Sequence, residues 1–188
     1  GAPDLSPFIE SASSSAARFD AGSFRDRSGR VFRHGSGVYR ALSAALRDDW
    51  LSVAEADFCR RRLADGSLVA TELLDDGIAS SLVPDRWAGV LRHELLPMIS
   101  YPYEWTFGML RDAALLQLDL LDEALAVDAV LKDATPYNVQ FRGAQPVFID
   151  VGSFTRYVPG SPWGAYRQFC QEFLYPLLLQ AYRGVDFQ

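Results

Sequence analysis

Lysine is almost missing from this chain: of 188 residues one is lysine, Lys132, and the other seventeen cationic side chains are arginine. Soft metal ligands are scarce as well. Cys59, Cys170, His34 and His93 are all there is, which argues against a structural zinc site, so any metal would be a hard cation held by carboxylate and amide oxygens. The two cysteines stand far apart in unlike contexts. One disulfide stays open, but two free buried thiols and a cytoplasmic location are the expectation. No apolar run reaches the roughly 18 residues that a membrane span needs. The first ten residues lack the basic start and apolar core of a secretory signal. Positive charge is in deficit too, with a net charge of −6, which argues against nucleic acid as the main partner. What is abundant is apolar and aromatic character, 49% and 13% of the residues, so the chain folds around a core.

Residues 1–20 are rich in Ser and Ala and read as a loose lead-in. Three short strands are expected next, Gly22–Asp26, Arg30–His34 and Gly37–Leu42, separated by the turn residues Ser28-Gly29 and Gly35-Ser36-Gly37. Arg25, Arg27, Arg30 and Arg33 read as a solvated hairpin edge. A helix capped by Asp48 or Asp49 carries the stripe Trp50, Val53, Ala54, Phe58 and Leu63 and stops at Gly66. "SLVATELLDD" reads as a strand followed by a turn-rich link, "GVLRHELLPMIS" as another strand or a strand and linker, and Pro97 and Pro102 bracket a connector. Tyr101, Tyr103, Trp105 and Phe107 read as connector packing rather than as a base-stacking platform. A long amphipathic helix is predicted from Thr106 to about Val127, with Phe107, Leu110, Ala114, Leu118, Leu121 and Leu125 inward. Strands Val139–Phe141 and Val147–Ile149 flank the turn "RGAQ". A last helix is expected from the cap Ser161 to the stop Gly184, kinked or broken at Pro176.

One stretch carries chemistry: "VLKDATPYNVQFRGAQPVFIDVGSF", Val130 to Phe154. It spaces Asp133, Asn138 and Asp150-x-Gly152 around an apolar hairpin. Phosphoryl transfer from ATP needs a carboxylate to orient or deprotonate the attacking hydroxyl, and oxygen ligands for magnesium across the phosphates. An Asp and an Asn on one loop, facing an Asp at a neighbouring strand end, meet that demand. The bland alternative is a set of turn caps bonding local backbone groups.

The stretch "KDATPYNVQF…PVFIDVG" resembles the catalytic and metal loops of the protein-kinase-like fold, in particular its aminoglycoside-phosphotransferase-like branch. The resemblance implies a two-lobed α+β domain, with a small antiparallel sheet lobe over residues 21–100 and a reduced, mainly helical lobe over 101–188. It implies Asp133 as the catalytic carboxylate, Asn138 and Asp150 as magnesium ligands, and ATP as cofactor. The hinge that meets adenine would lie within Trp87–Ser100. Arg40 stands where the fold usually has a strand lysine; Arg40 and Lys132 would contact phosphates, and Glu55 would pair with Arg40, with Glu72 or an unpaired surface role for Glu55 as the alternatives. Leu131 stands where the family usually has a His, and "DRSGR" and "HGSG" only partly resemble its glycine-rich loop.

From about Phe24 onward the chain also resembles the N-terminal part of bacterial class I SAM-dependent methyltransferases, on "ISYPYEWTFGMLRDAALLQL", the stretch above and "YRQFCQEFLYPLLLQAY". That implies a further domain beyond Gln188. Two functions are therefore expected: an ATP/Mg phosphotransferase-like domain of a larger bacterial protein acting on an unidentified hydroxyl acceptor, or a non-catalytic accessory or substrate-binding module of an attached methyltransferase.

Overall fold

The computed structural model describes residues 18–19, 29–83 and 86–186; the expected strand Gly22–Asp26, with Arg25 and Arg27, lies outside them. Strand β1 (Arg18–Phe19) falls at the end of the expected lead-in and pairs with β2 (Gly29–His34). A tight turn with Gly35 at φ +57° leads to β3 (Gly37–Leu42). The helix expected as one piece is two. In α1 (Ala44–Ala54) the Ser43 hydroxyl accepts from the Leu46 amide, one turn earlier than the aspartates that were expected to cap it. The chain then breaks at Ala56, whose ψ of 145° is extended, before α2 (Asp57–Asp65). Gly66 ends α2 in the left-handed region at φ +76°, as a glycine after a helix allows.

The next strand, β4, is only Thr71–Leu73. The turn-rich link holds a helix, α3 (Asp76–Leu82), and β5 is Gly89–His93. The five strands form one antiparallel sheet in the order β1-β2-β3-β5-β4. Alternation gives the sheet two apolar faces. Phe32, Ala41 and Val90 pack with Ala79 and Val83, which is why α3 forms despite its Gly77 and two serines. Leu42 and Leu91, on the other face, enter the main core with Leu46 and Trp50 of α1.

The connector packs as expected at Trp105, which is fully buried, meets Phe141 edge-on at 5.1 Å and donates its indole N–H to Ser100. Helix α4 (Phe107–Leu125) starts at its cap Thr106. Of the expected inward residues Leu110, Ala114 and Leu121 are buried, whereas Leu118 and Leu125 are exposed and Gln117, Leu120 and Ala124 are fully buried beside them. Next come β6 (Ala129–Leu131), the hairpin β7 (Val139–Arg142) and β8 (Gln145–Phe148), and β9 (Phe154–Arg156), with β6 pairing β9.

Ser161 does not cap the last helix. It begins as α5 (Tyr166–Phe169), widens into a π-turn over Cys170–Leu174, and continues as α6 (Tyr175–Arg183) to Gly184 at φ +60°. Pro176 neither breaks nor sharply stops this helix. The wider turn before it absorbs the missing N–H and the bulk of the ring.

The result is the α+β arrangement of two lobes, a small antiparallel sheet and a mainly helical part. A single core runs through both, joining Leu42, Trp50 and Leu91 to Leu120, Phe148, Phe154 and Phe173. Backbone bonds cross as well: the Phe148 amide donates to Ser67 O at 2.8 Å and the Val69 amide to Phe148 O at 2.9 Å.

Candidate functional site

Asp133 and Asn138 lie on the loop between β6 and β7, and Asp150 begins the 3-10 turn Val151–Ser153 between β8 and β9. The two loops are laced together by their backbones. The Lys132 amide donates to Ser153 O and the Ile149 amide to Asn138 O, at 2.9 and 2.8 Å. The Asp133 amide donates to the Ser153 hydroxyl at 3.2 Å. Asp133, Asn138 and Asp150 are thereby brought to one place, although fifteen or so residues of hairpin separate the first two from the third.

Four residues hold this loop that the spacing argument did not single out. Fully buried Gln117 of α4 donates its amide to Asp133 O at 2.8 Å. Fully buried Ser153 bridges as described. Gln168 of α5 accepts from the Ala134 amide at 2.9 Å, and the Trp163 indole donates to Leu131 O at 2.7 Å. The available signal was Gln117 itself, a polar residue one step from the apolar stripe assigned to α4. Gln168 and Trp163 give no such signal, because their partners are more than thirty residues away.

Local capping does not use up the side chains of Asn138 and Asp150. Asp150 makes no side-chain cap bond to its own 3-10 turn. Asn138 is buried, and its Nδ2 has no partner among the described residues. Asp150 instead meets Arg40: Nη2 lies 2.6 Å from Oδ1, with the two side chains 12% and 21% exposed. The ladder fixes Arg40 in mid-sheet, opposite Val31 on β2 and Leu91 on β3's other neighbour, β5.

Gly152 serves a close approach rather than a backbone conformation reserved for glycine. Its φ is not in the left-handed region. A Cβ there would stand 2.5 Å from Arg40 Nη1, so glycine is needed to let the guanidinium lie against the backbone.

Lys132 is exposed at the loop's edge. Glu55 is not brought to Arg40. Because α1 ends at Ala54, Glu55 becomes an exposed C-cap, and it makes no ion pair among the described residues. Asp150 holds the arginine instead.

His93, on β5, is the site's neighbour with the most perturbed titration. Burial, and then the positive charge of Arg40, push its pKa down to about 3. The Thr71 hydroxyl donates to Val69 O, so it can only accept from His93 Nδ1, 3.0 Å away. That assigns the neutral Nδ1–H tautomer. Cys59 and Cys170 are both free and buried; desolvation pushes the Cys59 thiol up to about 11, where it is inert.

A metal can be tested against these groups. Among the described residues no cluster of three or more His, Cys, Asp or Glu could hold one. An amide and a carboxylate are nevertheless the oxygen donors magnesium takes when phosphates and water complete its shell. Asn138 and Asp150 fit it in kind, with one Asp150 oxygen already facing Arg40.

Two cavities adjoin the site's surroundings. One of about 610 Å³ opens at the end of the sheet and is lined by Tyr39, Thr71, His93, Glu94 and Leu95, so part of the expected hinge segment borders it. The other, about 420 Å³, lies beside the Asp133 loop and is lined by Tyr103, Thr135, Pro136, Tyr137 and Glu172.

Fold and loops together define a two-lobed α+β domain, a small antiparallel sheet with a mainly helical part. The chain is similar to nodulation protein NoeA of Rhizobium meliloti (strain 1021), 43% identical over 166 residues, which cover 86% of this chain and 33% of that protein. It thus spans about a third of that relative's length. Among solved structures it is similar to vaccinia related kinase 3, at 13% identity and a TM-score of 0.49, over 79% of this chain and 50% of the other. No protein-family profile matches.

Proposed function

We propose that this chain is an ATP- and magnesium-binding, phosphotransferase-like domain of a larger bacterial protein, working in the cytoplasm. The observation that carries the reading is the lacing of two loops that hold Asp133, Asn138 and Asp150 together, with Asn138 and Asp150 not spent on capping their own turns. Asp133 would orient the acceptor hydroxyl. Asn138 and Asp150 would hold magnesium, which when bound neutralises phosphate charge. Arg40, and more loosely Lys132, would face the phosphates. Adenine would meet the segment Trp87–Ser100, and the acceptor would enter from the cavity beside Tyr103 and Tyr137.

A second reading keeps the fold and drops the chemistry: a pseudokinase-like accessory module, serving an attached methyltransferase. The pairing of Arg40 with Asp150 favours it, since a strand cation committed to that carboxylate is not free for phosphate.

Calorimetry with ATP, with and without magnesium, on this chain and on Asp150→Ala is the test. Magnesium-dependent binding that disappears in the variant supports the first reading. The absence of heat or thermal stabilisation at millimolar ATP removes it. Binding without any hydrolysis or transfer leaves the accessory module.

A further inference from the structure

The contact between Arg40 and Asp150 has more built into it than an incidental ion pair. Arg40 is fixed by ladder partners on both sides, so its reach across to the loop is set by the sheet. Its guanidinium meets Asp150 Oδ1 at 2.6 Å and lies where Gly152 would otherwise carry a Cβ. Neither side chain is freely hydrated, so the contact offsets part of the charge burial of both. A guanidinium is in general a permanent cation in proteins.

From this geometry we infer that Arg40 is a resident counter-cation for Asp150, and that a divalent cation and the Arg40 guanidinium compete for that carboxylate. A divalent cation held by Asp150 would displace Arg40 from that carboxylate, and Arg40 would return on its removal. A lysine in the same place would offer a compact point charge. The arginine fork instead covers the carboxylate oxygen and the adjacent backbone at once. The inference rests on the reading of Asp150 as a metal ligand, but it does not require nucleotide to bind.

The experiment is therefore done without nucleotide. Free Mn²⁺ is titrated by electron paramagnetic resonance against the unaltered chain, Arg40→Gln, Gly152→Ala and Asp150→Asn, with circular dichroism confirming the fold of each. Arg40→Gln removes the competing charge at contact distance, and its Mn²⁺ affinity is expected to rise by at least about ten-fold. Gly152→Ala keeps every charge. Its new Cβ displaces only the mobile end of Arg40, so it is expected to move affinity in the same direction even if Arg40→Gln does not fold. Asp150→Asn should abolish the site.

Equal Mn²⁺ affinity in the unaltered chain and in folded Gly152→Ala or Arg40→Gln overturns the proposal, because the pair is then only structural. Undiminished binding in Asp150→Asn overturns it as well. A failure of ATP to bind would remove the phosphotransferase reading while leaving the Mn²⁺ result intact.

Discussion

His93 shows how one side chain can record the state of its surroundings. It sits beside Thr71 and within the field of Arg40, with Nε2 buried and unpartnered among the described residues, and its pKa is held at about 3. Unfolding returns it to the ordinary value near 6.5. Between those two values the unfolded chain binds more protons, so its contribution to stability is complete above about pH 6.5 and is lost as pH falls towards 3. The slope from one such group reaches about 1.4 kcal/mol per pH unit. Replacing His93 with Gln should therefore flatten the fall of the urea midpoint between pH 6.5 and 4.5, measured against the unaltered chain in the same buffers. An unchanged slope would mean that carboxylates alone set the acid limit.

Among the elements, α4 does the most to place the site. It reaches the Asp133 loop through Gln117, whose side-chain amide is the loop's link to the helix interior. Gln117→Leu keeps the volume and removes that bond. The expected cost is about 1 kcal/mol, with faster amide exchange over residues 133–138 than elsewhere in the chain. Uniform exchange changes would place the effect in the core at large. The existence and extent of α4 were legible from its three-four periodicity, and so was the hairpin of β7 and β8 around Gly143. The buried face of α4 was legible at Leu110, Ala114 and Leu121 but not at Leu118, which looks more apolar than Gln117 although the loop backbone needed a donor there. The break at Glu55-Ala56 and helix α3 were not legible, since both are decided by what packs against them.

Across the whole molecule, the sequence marked Asp133, Asn138 and Asp150 as a set because they lie within one short stretch with regular spacing. Arg40 could be nominated only by resemblance, and its partner was expected to be Glu55. The actual partner is 110 residues away, a separation over which no local rule operates. Similar long-range ties join the lobes elsewhere: Arg62 of α2 meets Glu123 of α4 at 2.8 Å, and Arg142 of β7 meets Glu94 at 2.8 Å. With those ties and a shared core, the two lobes should unfold together. Fluorescence and far-ultraviolet circular dichroism are expected to give coincident urea transitions, whereas two separated transitions would show lobes of independent stability.

The scarcity of lysine gives this chain an unusual chemical address. Lys132 is exposed and directly precedes Asp133, and no other side chain carries a primary amine. Amine-directed labelling thus has one side-chain target, set at the rim of the laced loops, with the α-amino group as the remaining reactive amine. A fluorophore attached there would report on events at Asp133 and Asn138 without a cysteine having to be engineered.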